Sequence, residues 1–136
     1  MRPHSTSPQP LIATTSAYPF VDPHQYFSSQ AFQGQVVVVT GASRGIGQEV
    51  ALYYAKAGAS LVLVSRKQET LDETRAVIIK EVPGAEVVTF PADVKDPVKA
   101  EEAVKVATSR FGRLDVVIAN AAALSAFDKR AYNSAL

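Results

Sequence analysis

The sequence contains no cysteine and no tryptophan, and its only two histidines are His4 and His24. Without cysteine the chain can form no disulfide, no catalytic thiolate and no cysteine-ligated metal site. Because both histidines lie near the N-terminus, we expect neither a histidine metal centre nor a serine-histidine triad. No apolar run approaches the roughly 18 residues that a membrane-spanning helix needs, so we expect no membrane span.

An excess of charge of either sign is also missing. Fourteen lysines and arginines face 13 acidic residues, which gives a formal net charge of +1. Binders of nucleic acid or of anionic membranes need clustered basic residues in excess, so we expect neither kind of partner. What is present is a hydrophobic content of 47% in 136 residues, enough for one folded domain and hardly for two.

Residues 1–33 differ in composition from the rest of the chain. Five of the eight prolines lie here, and only Arg2 and Asp22 are charged. Prolines at this density predict a largely disordered tail that sustains neither a helix nor a central strand. Its aromatic residues between Tyr18 and Phe32 are expected to pack on the domain surface. The apolar stretch 11–13 is too short for a secretory signal, so we expect a cytoplasmic protein.

From Gly34 onwards strands and helices alternate. Continuous β-branched runs predict strands at Gln35–Thr40, Leu61–Val64, Val87–Phe90 and Asp115–Ala119. Helical spacing of apolar residues and end signals predict three intervening helices, one after Gly45, one over about Gln68–Glu81 and one from Pro97 to Gly112. The order βαβαβαβ predicts an α/β fold, a Rossmann-like doubly wound parallel sheet.

The spacing also predicts which helix faces are buried. In each helix the apolar residues that recur every three or four positions should face the sheet. The predicted faces are Ile46, Val50, Tyr53 or Tyr54, and Ala57 in the first helix, Leu71, Thr74, Ile78 and Val82 in the second, and Ala100, Val104, Ala107 and Phe111 in the third.

A glycine-rich turn separates the first strand from the first helix. Gly41, Gly45 and Gly47 follow the spacing G-x3-G-x-G. Glycine at these positions lets a phosphate approach free N–H groups at the helix N-terminus, where the helix dipole favours an anion. A glycine triplet alone can be an ordinary tight loop, but its place between a buried strand and a helix favours phosphate binding.

This turn, Thr40–Gly47, resembles the cofactor turn of the short-chain dehydrogenase/reductase family. Two further motifs match in order: Ala92-Asp93-Val94 resembles the acidic clamp on adenine, and Asn120-Ala121-Ala122 resembles the Asn-Ala-Gly element beside the nicotinamide ribose. The chain departs from the pattern at Ala119 and Ala122, where Asn and Gly are usual. The resemblance covers about residues 34–123. The candidate cofactor-binding residues are Gly41, Ser43, Arg44, Gly45, Ile46, Gly47, Ser65, Arg66, Asp93, Val94 and Asn120.

The second strand ends in Ser65-Arg66, which bears on the choice between NAD(H) and NADP(H). A free ribose 2′-hydroxyl is recognised by a carboxylate at this position, whereas a 2′-phosphate is recognised by guanidinium groups. Arg66 and Arg44 therefore predict NADP(H), and the pair resembles the NADP(H)-preferring pattern of the family. The alternative is that both arginines are ordinary solvated surface cations.

The resemblance implies that hydride transfer needs a serine and a Tyr-x-x-x-Lys pair, and these are expected beyond residue 136. Tyr132 is no substitute, since Leu136 stands where the lysine would be, and Ser125 and Lys129 are interpreted as loop residues. No catalytic residue and no metal ligand is therefore assigned. The expected organisation is a tail over 1–33, a half-domain over 34–123 truncated after the fourth strand, and an irregular tail over 124–136.

Three functional interpretations follow. The first is a partial, truncated or misspliced NADP(H)-dependent oxidoreductase whose parent reduces a carbonyl or oxidises a secondary alcohol of a small molecule, itself inactive as the isolated chain. The second is a non-catalytic nucleotide-binding fragment that associates with itself or with another chain through the exposed apolar fourth strand. A regulatory or epimerase-like protein is disfavoured, because those activities also need the residues that are missing.

Overall fold

The computed structural model describes residues 19–122 of the chain. Four strands and four helices follow in the order α1 (His24–Ser28), β1 (Val36–Thr40), α2 (Gly45–Lys56), β2 (Ser60–Ser65), α3 (Gln68–Glu81), β3 (Val87–Pro91), α4 (Pro97–Phe111) and β4 (Val116–Ile118). Residues 1–18 of the tail predicted for residues 1–33, and the whole tail predicted for residues 124–136, lie outside the described residues.

The four strands form one parallel sheet in the order β3-β2-β1-β4. Val38 of β1 pairs with Val62 of β2 on one side and with Val117 of β4 on the other. The predicted doubly wound parallel fold is confirmed. Each strand end differs from the predicted one by one residue at most, and β4, with three residues, is the shortest of the four strands.

Helices cover both faces of the sheet, and this explains the unbroken valine run of β1. Val37 and Val39 face α2 and α3, whereas Val36 and Val38 face α4. All four valines are buried, because successive strand residues point to opposite faces and both faces are covered. A hydrophobic residue is therefore needed at each of these four positions.

The predicted buried face of α2 is only partly right. Ala57 is buried and Tyr54 packs against the core, but Ile46 is 75% exposed and Tyr53 45% exposed. The buried residues within the helix are Gly47, Ala51, Leu52 and Ala55. Three of these four are small, which lets the helix axis approach the sheet closely. The large residues Ile46 and Tyr53 project outwards instead, so the spacing of large apolar side chains does not identify the buried face of this helix.

Helices α3 and α4 match their predicted bounds, and α3 also matches its predicted buried face. Leu71, Thr74 and Ile78 of α3 are buried as expected, and the Thr74 hydroxyl is buried with no hydrogen-bond partner among residues 19–122. In α4 the Asp96 carboxylate accepts the Val98 N–H at 2.9 Å and so caps the N-terminus of the helix. The buried residues of α4 are Ala103 and Ala107, so the prediction that Val104 faces the sheet is wrong.

The segment 19–34 packs against the C-terminal part of α2. The rings of Phe27 and Tyr53 lie 5.5 Å apart and those of Phe32 and Tyr54 lie 4.8 Å apart, both edge to face. The Phe32 N–H donates to the Ala57 carbonyl at 2.9 Å. Helix α1 differs from the prediction that this segment sustains no helix. Pro23 is its N-cap, where a missing N–H is harmless, and no proline follows inside it.

Candidate functional site

A cleft lies at the carboxyl ends of the strands, beside the point where the strand order reverses. From β1 the chain proceeds to β2 and β3 on one side and then returns to β4 on the other, and such switch points hold ligands in open α/β sheets. The cavity has a volume of about 350 Å³. Nine predicted site residues line it: Gly41, Ser43, Arg44, Ile46, Ser65, Arg66, Asp93, Val94 and Asn120.

The remaining two predicted residues, Gly45 and Gly47, do not line the cavity but shape the turn. Gly45 has a φ of +59° with open space where a side chain would project. A Cβ on Gly47 would lie 2.2 Å from the Gly41 carbonyl oxygen. Gly47 therefore allows α2 to approach the end of β1 closely.

The N-terminus of α2 points into this region with its N–H groups uncapped. Arg44 is the N-cap residue, its side chain accepts no hydrogen bond from the helix, and the first turn contains no acidic residue. Helix N-termini leave free N–H donors and carry a partial positive charge. This end of α2 is therefore suited to a phosphate rather than to a cation.

The Thr40 hydroxyl joins the ends of β1 and β4. It donates to the Ile118 carbonyl at 3.3 Å and accepts the N–H groups of Asn120 and Ala121, both at 3.1 Å. The Asn120 side-chain amide donates in turn to the carbonyls of Thr40, at 3.2 Å, and Gly41, at 3.3 Å. Asn120 thus holds the glycine turn against the end of β4, in addition to lining the cleft.

Arg44 and Arg66 project from neighbouring elements of the cleft wall. A hydrogen bond of 3.0 Å from the Ser65 hydroxyl to the Ser43 hydroxyl joins the end of β2 to the glycine turn. Both arginines are exposed, and neither forms an ion pair with any carboxylate within residues 19–122. Two guanidinium groups without a protein anion therefore border one cleft.

Asp93 occupies the loop that follows β3. Its Oδ1 accepts the Lys95 N–H at 3.0 Å, and its carbonyl accepts the Asp96 N–H at 3.1 Å. These bonds fix the turn between β3 and α4 and hold the Asp93 and Val94 residues at the cleft. One carboxylate oxygen of Asp93 has no hydrogen bond within the described residues.

A sequence model described as short chain dehydrogenase matches residues 35–135 of the chain. The chain belongs to the short-chain dehydrogenase family. It is 41% identical over 97 residues to 11-beta-hydroxysteroid dehydrogenase A of Sesamum indicum, which covers 71% of this chain and 28% of that protein. It is 40% identical over 90 residues to levodione reductase of Leifsonia aquatica, covering 66% of this chain and 34% of that protein.

A solved structure of the same fold is L-sorbose reductase of Gluconobacter frateurii, complexed with NADPH and L-sorbose. The TM-score is 0.67 at 32% identity, over 75% of this chain and 41% of that one. This short-chain dehydrogenase chain therefore spans about a third of the length of the two curated relatives above. Tyr132, Ser125 and Lys129 lie outside the described residues.

The structural roles of two polar residues, Asp115 and Lys95, were not predicted from the sequence of this short-chain dehydrogenase chain. The Asp115 carboxylate accepts the Val36 N–H at 2.8 Å and forms two bonds to Arg113, at 2.9 and 2.6 Å. The pKa of Asp115 lies below its ordinary value of 3.8, mainly because of the hydrogen bonds from the Arg113 guanidinium and secondly because of the hydrogen bond from the Val36 N–H. Its position immediately before β4 was the available signal. The second residue is Lys95, which lines the cleft.

Two kinds of feature are absent from residues 19–122. No helix there has both the length and the apolar character needed to cross a membrane. The same residues contain no cluster of three or more histidine, aspartate or glutamate side chains able to hold a metal ion.

Proposed function

We propose that the cleft binds NADP(H), and that the chain is the cofactor-binding part of an oxidoreductase acting on the carbonyl or secondary alcohol of a small molecule. The observation that carries the proposal is that Arg44 and Arg66, which pair with no carboxylate within residues 19–122, border the cleft beside a serine rather than an acid at the end of β2. A ribose 2′-phosphate is the part of NADP(H) that this pair would bind. The proposed cytoplasmic location rests on the sequence alone.

The residues of the cleft fit the other parts of the cofactor. The uncapped N-terminus of α2, with Gly45 leaving room beside it, would hold the pyrophosphate. Asp93 has a carboxylate oxygen left to accept from the adenine amino group. Asn120, at the β4 side, would lie next to the nicotinamide ribose. The nicotinamide supplies hydride transfer when the cofactor is bound.

A proton donor for the substrate oxygen is not assigned to any described residue. Three tyrosines, Tyr26, Tyr53 and Tyr54, occur within residues 19–122, and none of them lines the cleft. Tyr53 and Tyr54 contact the N-terminal segment instead. The proposal for this chain is therefore cofactor binding. The carbonyl or alcohol chemistry is proposed for the oxidoreductase to which it belongs.

Nucleotide fragments test the cofactor proposal without requiring turnover. We expect 2′,5′-ADP to bind at least about tenfold more tightly than 5′-AMP, which differs from it only in lacking the 2′-phosphate, because charge-assisted hydrogen bonds contribute about 1.5–3 kcal/mol each. Isothermal titration calorimetry of the chain with the two nucleotides measures the ratio. Equal affinities would refute recognition of the 2′-phosphate, and no binding of either nucleotide would refute the dinucleotide site itself.

We propose a second property, self-association through β4. This strand pairs only with β1 among the described residues, and Val117 is 53% exposed. An apolar strand edge with unpaired N–H and C=O groups can pair with a strand of another molecule.

Sedimentation velocity tests this association. We expect the wild-type chain to form dimers or larger species at micromolar concentration, and Val117→Lys to shift the population to monomer, since charged side chains protect strand edges. Val98→Lys is the matched control, because Val98 is an exposed valine of α4 outside the sheet. A monomeric wild-type chain, or equal dissociation by both variants, would contradict the proposal.

A further inference from the structure

The strand order arranges the cleft residues in a line. Asn120 follows β4, Gly41 follows β1, Arg66 follows β2 and Lys95 follows β3. Neighbouring strands lie about 4.8 Å apart, so the line from β4 to β3 is about 14 Å long. On the proposed function, the nicotinamide side lies at β4 and the adenosine side at β2 and β3. Lys95 therefore belongs to the adenosine side.

The end of β3 lies directly beside the end of β2. Ser65 is in register with Pro91, and the Ala92 N–H donates to the Ser65 carbonyl at 2.8 Å. This bond places the loop carrying Lys95 next to the residue that precedes Arg66. Both cations line the same cavity.

The backbone of Lys95 is held on both sides. Its N–H donates to the Asp93 carboxylate at 3.0 Å, and the next residue, Asp96, caps α4. A fixed backbone limits the places that the side chain can reach, so less conformational freedom is lost when the ammonium group meets a ligand.

The charge of Lys95 has no protein partner within the described residues. Lys99, Lys105 and Arg113 each form an ion pair with a carboxylate, whereas Lys95 forms none, although Asp93 and Asp96 are close in sequence. The cleft lining thus contains three cations, Arg44, Arg66 and Lys95, and one carboxylate, Asp93, a net charge of +2. A phosphate monoester carries about −1.5 to −2 at pH 7, which matches this excess.

We infer that Lys95 is a third cation of the adenosine side and increases the preference for a nucleotide with a 2′-phosphate. The inference rests on the proposed NADP(H) binding and extends it to a residue outside the family motifs. A nucleotide with a free 2′-hydroxyl gives Lys95 no anion to meet on this side of the cleft. Lys95 therefore acts on specificity more than on overall affinity.

The test compares Lys95→Gln with Lys67→Gln, using 2′,5′-ADP and 5′-AMP as ligands in titration calorimetry. Lys67 is a suitable control because it is exposed, adjacent to Arg66 and absent from the cavity wall. We expect Lys95→Gln to weaken 2′,5′-ADP about fivefold and 5′-AMP less than about twofold, with the difference shrinking at high salt. Lys67→Gln should change the two affinities by similar, small factors. Lys95→Arg keeps the charge and should restore most of the preference.

The outcomes separate this inference from the proposed function. If the wild-type chain prefers 2′,5′-ADP but Lys95→Gln and Lys67→Gln behave alike, the role of Lys95 is wrong and the cofactor proposal stands. If the wild-type chain binds both nucleotides equally, both proposals are wrong. Failure of Lys95→Arg to restore the preference would also count against a charge interaction.

Discussion

Gly47→Ala is expected to destabilise the chain and to abolish measurable nucleotide binding. The new methyl group would lie 2.2 Å from the Gly41 carbonyl oxygen and 2.5 Å from the Asn120 amide nitrogen. In a helix interior alanine is normally favoured over glycine by about 1 kcal/mol. Here the overlap is with backbone, which cannot rotate away, and overpacking of this kind costs about 1–3 kcal/mol or more. We therefore expect the steric effect to exceed the helical propensity.

Thermal unfolding followed by circular dichroism, together with titration of 2′,5′-ADP, measures this prediction. Gly84→Ala is the matched control, since Gly84 has a φ of +90°, open space around it and a position in the α3–β3 turn. That variant should lose about 1–2 kcal/mol from backbone strain alone and bind nucleotide normally. A Gly47→Ala chain with unchanged melting temperature and affinity would show that α2 does not pack on β1 at this distance.

Arg66→Asp is expected to reverse the cofactor preference from NADPH to NADH. Loss of one charge-assisted bond removes about 1.5–3 kcal/mol, roughly 10- to 150-fold in affinity, and the new carboxylate adds repulsion of the 2′-phosphate. The same carboxylate can accept hydrogen bonds from the free ribose hydroxyl of NADH. We expect NADPH affinity to fall about 100-fold and NADH affinity to rise several-fold.

Fluorescence titrations of NADPH and NADH provide the measurement. Lys67→Asp is the control, because it changes the net charge equally at an exposed neighbour that does not line the cavity. It should lower both affinities modestly and leave the preference intact. If Arg66→Asp retains the NADPH preference, or if the unmodified chain binds the two cofactors equally, Arg66 is a solvated surface residue.

The sequence was sufficient for the strands and for the element order. A parallel strand covered on both faces needs an apolar residue at every buried position. β1 and β2 each contain four consecutive buried apolar residues, a pattern typical of such strands. Helix α3 was predicted to its observed bounds because Pro83-Gly84 leave the chain no way to continue it. The face of α2 could not be predicted, since Gly47, Ala51 and Ala55 are buried for their small size, which a count of large apolar residues ignores.

The candidate site was predictable where backbone geometry requires a particular residue and unpredictable where it does not. Gly41 and Gly47 are confined to glycine by the neighbouring backbone, so their spacing carries information. Lys95 in the site, and Asp115 at the other end of β1, depend on contacts between distant parts of the sequence. Asp115 meets Val36 across 79 positions of sequence, and Lys95 reaches the cleft only because β3 ends beside β2. Such contacts exist only after the chain has folded.

The Thr40 hydroxyl has a kinetic consequence for ligand capture. Because one oxygen bonds to Ile118, Asn120 and Ala121 together, the two strand ends that flank the switch point cannot separate without breaking all three bonds. A ligand arriving at this end of the cleft meets donors and acceptors that are already in place, so little ordering has to follow the encounter. Capture there should proceed in a single step, with a rate that rises in proportion to ligand concentration.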